Sequence, residues 1–150
     1  MTDWALAQLN IAHLKAPLDS PEIAEFVANL DHFNALAENS PGFIWRFKDE
    51  ENNNATTMEH PFGDDLIANL SMWESVEHLH SYVYRSEHAS FMSRRKEWFT
   101  RMVSAYSALW WVPLDHRPDL VEAHQKLTLL DEKGPGPDVF SFKTKVQKPE

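Results

Sequence analysis

The pattern of hydrophobic and polar positions along the chain predicts strands and helices in turn. Large apolar residues crowd four short segments, 4–14, 42–48, 66–73 and 107–114, whose lengths and flanking turn residues are typical of strands. After the first segment, apolar residues recur every three or four positions, which predicts a helix packed on one side. These positions are Ile23, Phe26, Val27, Leu30, Phe33 and Ala37. We expect this helix to begin at Pro21 under a cap from Asp19 or Ser20.

The chain after residue 73 predicts further helices and a C-terminal extension. Ser75 is expected to cap one helix, and Ser86 starts a second helical stretch after a bend. Beyond Pro118 the pattern predicts another helix, followed by DVFSF at 138–142, which is either an edge strand or an arm exchanged between subunits. We expect a single domain over 1–150, of which 115–150 form a helix-plus-strand extension.

The order strand, helix, strand, strand, helix, strand is typical of the α+β ferredoxin-like fold, a split βαβ antiparallel sheet with helices on one face. The strands carry apolar residues on both faces, which indicates that the second face is covered as well. A second copy of the chain would provide that cover, so we expect a homodimer in which two sheets form a dimeric α/β barrel. Adjacent strand residues point to opposite faces, which would place one of Trp110 and Trp111 in the interface.

Composition narrows the function classes. The 150 residues include no cysteine, which excludes disulfides, thiolate nucleophiles and cysteine-based metal sites. A formal charge of -9 disfavours nucleic acid and anionic membranes as partners. The N-terminal segment MTDWALAQLN lacks the basic residue of a secretory signal, so we expect a cytoplasmic location. The polar run at 49–65 is either a binding loop or a disordered segment.

Histidine and arginine on apolar helix stripes are the first candidates for chemistry. His80 shares the spacing of Val76 and Leu79, and His88 and Arg95 share that of a second stripe further on. One interpretation is that all three line a pocket, with His80 and His88 as candidate catalytic bases. The other is that the histidines are hydrogen-bonded core residues and that Arg95 pairs with an internal carboxylate, since a buried arginine needs an anionic or polar partner.

Polar residues inside strands are the second group of candidates. Asn10 and Asn69 interrupt the first and third strands, where they either bond each other or offer donors to a bound carbonyl or enolate. Together with Arg95, Trp98 and Trp111 they form the expected binding site for a small apolar or aromatic molecule.

No metal or cofactor is expected. His78 and His80 point away from each other on a helix, and His80 and His88 lie too far apart to share an ion. A site assembled from distant elements would have to draw on single histidines, namely His13, His60, His88 and His116.

The element order and the segment MWESVEHLHSYVYRSEH, at 72–88, resemble the antibiotic-biosynthesis-monooxygenase-like group of dimeric α/β barrels. Within that group, YVYRSEH, RRKEWF, LWWVP and HRP are similar to one uncharacterised family of domains of unknown function. The resemblance implies a dimer with a pocket between sheet and helices. Two functions fit it: a cofactor-independent monooxygenase-like enzyme, or a ligand-binding or scaffold dimer without catalysis.

The same resemblance argues against haem degradation. In the haem-degrading branch, the corresponding helix carries a tryptophan and, ten residues later, the histidine that ligates iron. Counting from Trp73 places Tyr82 and Met92 at those positions, and a methionine thioether is a weak iron ligand beside imidazole.

Overall fold

The computed structural model describes most of the chain, namely residues 3–16, 20–47, 66–85, 90, 94, 97–100, 107–144 and 146–149. The elements are β1 (Trp4–Leu14), α1 (Ala24–Glu38), β2 (Phe43–Arg46), β3 (Leu66–Trp73), α2 (Val76–Arg85), β4 (Phe99–Thr100), β5 (Ser107–Pro113) and α3 (Leu120–Lys133). The predicted bounds of β1 and β3 are confirmed, and β2 and β5 are shorter than predicted. The polar segment 49–65 lies outside the described residues. Among the residues that the structure describes, no helix combines the length and the apolar character that crossing a membrane requires.

The strands form one antiparallel sheet centred on β1. On one side β1 pairs with β3 along most of its length, and β2 pairs with the outer edge of β3. On the other side β1 pairs with β5 from Trp4 to Asn10, while the short β4 pairs with Leu14 at the far end. The resulting order β2–β3–β1–β5 confirms the predicted ferredoxin-like arrangement.

Each face of the sheet has its own apolar core. We call the side that carries Leu6 and Trp73 the α1/α2 face, because these residues cluster with Ala37 of α1 and with Val76 and Leu79 of α2. The opposite side, the α3 face, carries small and branched residues of β1, β3 and β5 that cluster with α3. The α3 residues in this cluster are Leu120, Ala123 and Leu127.

The expectation that helices lie on one face only is therefore wrong for α3. The prediction that both faces are apolar and covered is confirmed, but in the described residues the cover of the second face comes from the same chain. Trp110 and Trp111 do point to opposite faces, and the fully buried Trp110 donates its indole N–H to Glu122 of α3 at 3.0 Å. A homodimer stays a prediction, and one formed through Trp110 would require α3 to leave the sheet.

The helix caps agree with the sequence prediction, except that α1 begins later than expected. α1 begins at Ala24 rather than at Pro21, because residues 21–23 form a turn in which Ser20 Oγ accepts the Glu22 N–H at 3.3 Å. Ser75 caps α2 as predicted, its Oγ accepting the His78 N–H at 3.2 Å.

The C-terminal segment returns to the sheet edge beside β5. Leu109 and Phe140 exchange backbone hydrogen bonds of 2.8 Å in both directions, which supports the edge-strand interpretation of residues 138–142. The segment then passes over Trp111, whose indole N–H donates to the carbonyl of Val146 at 2.9 Å. It closes one end of the α1/α2 face.

Candidate functional site

Three cross-strand rows of side chains follow one another along the α1/α2 face. The first row, Trp73–Leu6–Trp111, belongs to the core. The second is Ser71–Gln8–Leu109, and the third is Asn69–Asn10–Ser107. Directly paired residues of neighbouring strands project to the same side of a sheet, so each row is a set of adjacent side chains. We call Gln8, Asn10, Asn69, Ser71 and Ser107 the polar patch.

The polar patch passes from the buried interior to the surface within two residues of strand. Gln8 is 8% exposed and Ser71 is 6% exposed, whereas Asn10 and Asn69 are both exposed. The outer row is therefore open to a ligand, and the row behind it is enclosed by protein.

The enclosed row holds Asn69 in place through hydrogen bonds. Gln8 Nε2 donates to Asn69 Oδ1 at 2.6 Å and to Ser71 Oγ at 2.7 Å. Ser71 Oγ also accepts the indole N–H of Trp73 at 2.9 Å. With the Asn69 oxygen engaged, its Nδ2 group makes no hydrogen bond to any described residue, and the same holds for the Asn10 amide. The predicted pairing of Asn10 with Asn69 is thus a strand-register pairing, while the side-chain partner of Asn69 is Gln8.

His80 lies apart from the polar patch in a different group of aromatic rings. Its ring is half-buried, 4.6 Å from the ring centre of Tyr84 and 6.0 Å from that of Phe142. It makes no hydrogen bond to the described residues. The buried residues of α2 are Val76 and Leu79, and the half-buried Tyr82 is the residue that stacks on Trp73 at 5.2 Å, so a role of His80 as a base stays a prediction.

Trp98 and Trp111 are core residues rather than part of an open pocket. Trp98 is buried against Phe26 of α1, with ring centres 5.9 Å apart, and Arg94 lies over its outer face at 5.0 Å. Trp111 is covered by the C-terminal segment and packs against Phe140 at 6.4 Å. Packing accounts for both side chains, together with the bond to Val146 for Trp111, and a role for either in binding stays a prediction.

Of the remaining candidate site residues, the structure describes some and not others. His88, Arg95, His60 and Met92 lie outside the described residues, and the description of His13 does not extend to its side chain. His116 is placed, and its Nε2 lies 2.6 Å from a carboxylate oxygen of Glu122. Among the described residues, no three His, Asp or Glu side chains are grouped so that they could hold a metal ion.

A cleft away from the polar patch lies near the start of α2. This cleft of about 350 Å³ is lined by Ser40, Pro41, Glu77, His78, Ser81 and Tyr82. Three of its polar groups already serve the fold: Ser40 Oγ donates to Leu36 O, Tyr82 Oη donates to Phe33 O, and His78 Nδ1 contacts Ser75 Oγ at 2.7 Å. The polar patch is the better candidate site because, within the part of the chain that the structure describes, the N–H groups of its outer amides have no such partners.

Gln8 and Ser71 are the site residues that the sequence analysis missed. Each lies two positions from an asparagine that was identified, which places it on the same face of its strand. A search for polar residues at a spacing of two in otherwise apolar strands would have found them.

The sequence matches one family model over nearly its whole length. Residues 5–150 match the model described as a domain of unknown function, DUF3291. The chain belongs to the DUF3291 family. Membership confirms the resemblance to an uncharacterised family drawn from the sequence motifs. No curated protein matches this DUF3291 chain by sequence.

Several solved structures resemble this DUF3291 chain in fold. SnoaB, a cofactor-independent oxygenase from Streptomyces nogalater, is 13% identical with a TM-score of 0.47, covering 77% of this chain and 96% of SnoaB. A protein of unknown function from Nitrosomonas europaea is 13% identical with a TM-score of 0.49, covering 79% and 97% of the two chains. A conserved protein from Methanosarcina mazei Go1 is 14% identical with a TM-score of 0.46, covering 74% and 93%. Such likenesses concern the arrangement of strands and helices and not the chemistry.

Proposed function

We propose that this chain binds a small molecule through an oxygen atom that accepts hydrogen bonds from the outer row of the polar patch. The observation that carries the proposal is the Asn69 carboxamide, whose oxygen is held by Gln8 while its Nδ2 group stays open beside Asn10. Two amide groups placed side by side can share one carbonyl or enolate oxygen as acceptor.

The position of these amides supports binding over packing. Asparagine is unfavourable in the middle of strands, where apolar and β-branched residues pack better. Asn10 and Asn69 lie in the two central strands, and Ser107 continues the row on the third strand. An aligned row of polar groups on an otherwise apolar sheet is the arrangement that orients a ligand in a mostly apolar site.

The rest of the ligand is proposed to be apolar or aromatic and uncharged. Leu109 borders the polar patch within its second row, and the apolar row Trp73–Leu6–Trp111 lies behind it. The net charge of -9 disfavours an anionic ligand in its resting form. A neutral ketone or phenol on an aromatic body meets both conditions.

The finer proposal is a cofactor-independent oxygenation of that ligand. Amide donors that hold a carbonyl oxygen also stabilise the enolate formed when a neighbouring C–H bond loses its proton. Reaction of this enolate with O₂ converts a CH₂ group into a carbonyl group and releases water. A base must take the proton, and His88 stays the prediction for that role because His80 packs against Tyr84 and Phe142.

The alternative proposal is a ligand-binding or scaffold protein without catalysis, in the form of the predicted homodimer. It rests on the same amides and differs in needing no base.

A thermal-shift screen of neutral aromatic ketones and phenols tests the binding proposal. We expect hits whose affinity falls about fivefold in Asn69→Ala, the effect of losing one ordinary hydrogen bond. Gln125→Ala, on the exposed side of α3 across the sheet, is the matched control and should bind like the native protein. Hits that bind Asn10→Ala and Asn69→Ala unchanged would contradict the site.

Oxygen consumption with the confirmed hits then separates enzyme from binder. Uptake of O₂ that depends on the protein and is lost in Asn69→Ala supports the oxygenase. Saturable binding with no uptake supports the non-catalytic alternative.

A further inference from the structure

We infer that Gln8 is a positioning residue that sets the hydrogen-bonding polarity of the site, so that Asn69 presents N–H donors and favours ligands with an acceptor oxygen over ligands whose contacting group only donates. The inference goes beyond the proposed function, on which its ligand selectivity rests. The polarity itself is a property of the protein alone and can be tested without a ligand.

The chain of hydrogen bonds that fixes which groups donate and which accept starts in the core at Trp73. An indole N–H can only donate, so the bond of 2.9 Å to Ser71 makes the serine oxygen an acceptor. The same oxygen lies 2.7 Å from the end of the Gln8 carboxamide. Because a hydroxyl group can both donate and accept, Ser71 alone does not decide which end of Gln8 faces it.

The backbone of Asn69 decides the orientation of Gln8. The Gln8 atom that contacts Ser71 Oγ and Asn69 Oδ1 also lies 3.5 Å from the main-chain oxygen of Asn69. A main-chain carbonyl can only accept, so an amide oxygen of Gln8 at this place would face a second acceptor. The Gln8 NH₂ group fits there, and Asn69 must then turn its oxygen towards it and its own NH₂ group away.

Burial makes this orientation difficult to reverse. Gln8 and Ser71 are enclosed in the sheet, and the Trp73 ring is held between Phe43 at 5.4 Å and Tyr82 at 5.2 Å. Turning the Gln8 carboxamide would place its oxygen against the main-chain oxygen of Asn69 in an enclosed position, where two facing acceptors and an unmade hydrogen bond are unfavourable. Asn69 therefore offers donors to a ligand in every bound state.

Hydrogen exchange of the side-chain amides, followed by NMR on the ¹⁵N-labelled native protein, tests the polarity directly. We expect the Nε2 protons of Gln8 to exchange slowly and the Nδ2 protons of Asn69 to exchange rapidly. Slow exchange at Asn69 together with rapid exchange at Gln8 would overturn the inference, whatever ligand the protein binds.

Binding of two matched probes to Gln8→Glu tests the selectivity. Acetophenone offers only an acceptor oxygen and aniline offers N–H donors. The native protein should prefer acetophenone by about fivefold, the effect of one hydrogen bond. Once it is ionised, a carboxylate at position 8 can only accept, so in the pH range above the pKa of this enclosed group Asn69 would donate to it and turn its oxygen outward, and the preference should reverse.

Gln8→Met is the second variant, chosen because it removes the amide while keeping a side chain of similar length. It should bind both probes equally, since Asn69 is then free to turn. Equal binding of both probes by the native protein, or an unchanged preference in Gln8→Met, would overturn the selectivity. If neither probe binds while the exchange pattern is as expected, the polarity stands and the proposed binding function fails.

Discussion

At the residue scale, position 42 accommodates only glycine. Gly42 has a φ of +82°, a conformation that side chains with a Cβ rarely adopt. An added Cβ would lie 2.5 Å from the Cβ of His78, well inside van der Waals contact. The Gly42 carbonyl also accepts the Glu74 N–H at 2.7 Å, which joins the turn before β2 to the start of α2.

Substitution of Gly42 by alanine should be more destabilising than the same change at Gly134. Gly134 has a φ of +77° and a ψ of 178°, a region that is almost confined to glycine, but no atom within 4 Å of an added Cβ, so Gly134→Ala should cost roughly 1–3 kcal/mol from backbone strain alone. Gly42→Ala adds the overlap with His78 and should lower the free energy of unfolding by roughly 2–4 kcal/mol. Urea unfolding measures both variants, and equal losses would show that His78 moves away without cost.

The sequence predicted some site residues and missed others for a physical reason. Asn10 and Asn69 were identified because amides are rare in apolar strands, and both lie in the polar patch. His80 was assigned inward because it shares a helical spacing with Val76. Both His80 and Tyr82 are half-buried, but the Tyr82 ring stacks on Trp73 and its hydroxyl reaches α1, and periodicity within one helix contains neither contact.

At the element scale, α1 and α2 are joined by a hydrogen bond between a side chain and a main chain. Tyr82 Oη donates to the carbonyl of Phe33 at 3.0 Å. Burial raises the pKa of the Tyr82 phenol, an effect that the positive charge of Arg46 partly offsets. The folded protein therefore keeps this phenol neutral at pH values at which the unfolded chain ionises it.

This raised pKa predicts a loss of stability in alkali. The contribution of Tyr82 is fully present below the unfolded pKa of about 10 and declines as the pH rises above it, because the unfolded state then releases a proton that the folded state retains. Tyr82→Phe should lower the free energy of unfolding by about 1 kcal/mol at pH 8 and flatten its decline between about pH 10 and 11. Urea unfolding at several pH values measures this, with Tyr84→Phe, whose side chain is 49% exposed, as the control. An identical alkaline decline in Tyr82→Phe and native protein would contradict it.

The bounds of the helices and strands were predicted more accurately than the surfaces against which they pack. The bounds of β1 and β3 follow from apolar runs with polar ends, and the start of α3 follows from Asp119, whose side chain accepts the Glu122 N–H at 2.8 Å. The hydrophobic pattern predicted the helix after Pro118, but not which surface buries its residues Leu120, Ala123 and Leu127. Both a second chain and the C-terminal helix satisfy the same pattern, so the cover of the second face could not be assigned from sequence.

At the scale of the whole molecule, α3 covers a face of the sheet that is apolar. The α3 face includes the fully buried residues Leu9 and Trp110, which would be open to water without the helix. The helix is held there by its apolar stripe and by Glu122, which contacts both Trp110 and His116. Exposed apolar surface of this kind drives self-association.

Displacing α3 should therefore convert the protein into a self-associating species. Ala123 is 0% exposed, so Ala123→Glu buries a charge against the sheet and should force the helix away, with a stability loss of several kcal/mol. Val121, on the same helix and 57% exposed, provides the control Val121→Glu, which should leave stability and assembly as in the native protein. Sedimentation velocity at micromolar concentration should show larger species for Ala123→Glu alone. If Ala123→Glu is folded and has the native sedimentation coefficient, α3 is not the element that prevents other chains from binding to the second face. If the native protein and Val121→Glu sediment equally as dimers, the predicted homodimer uses a surface other than the α3 face.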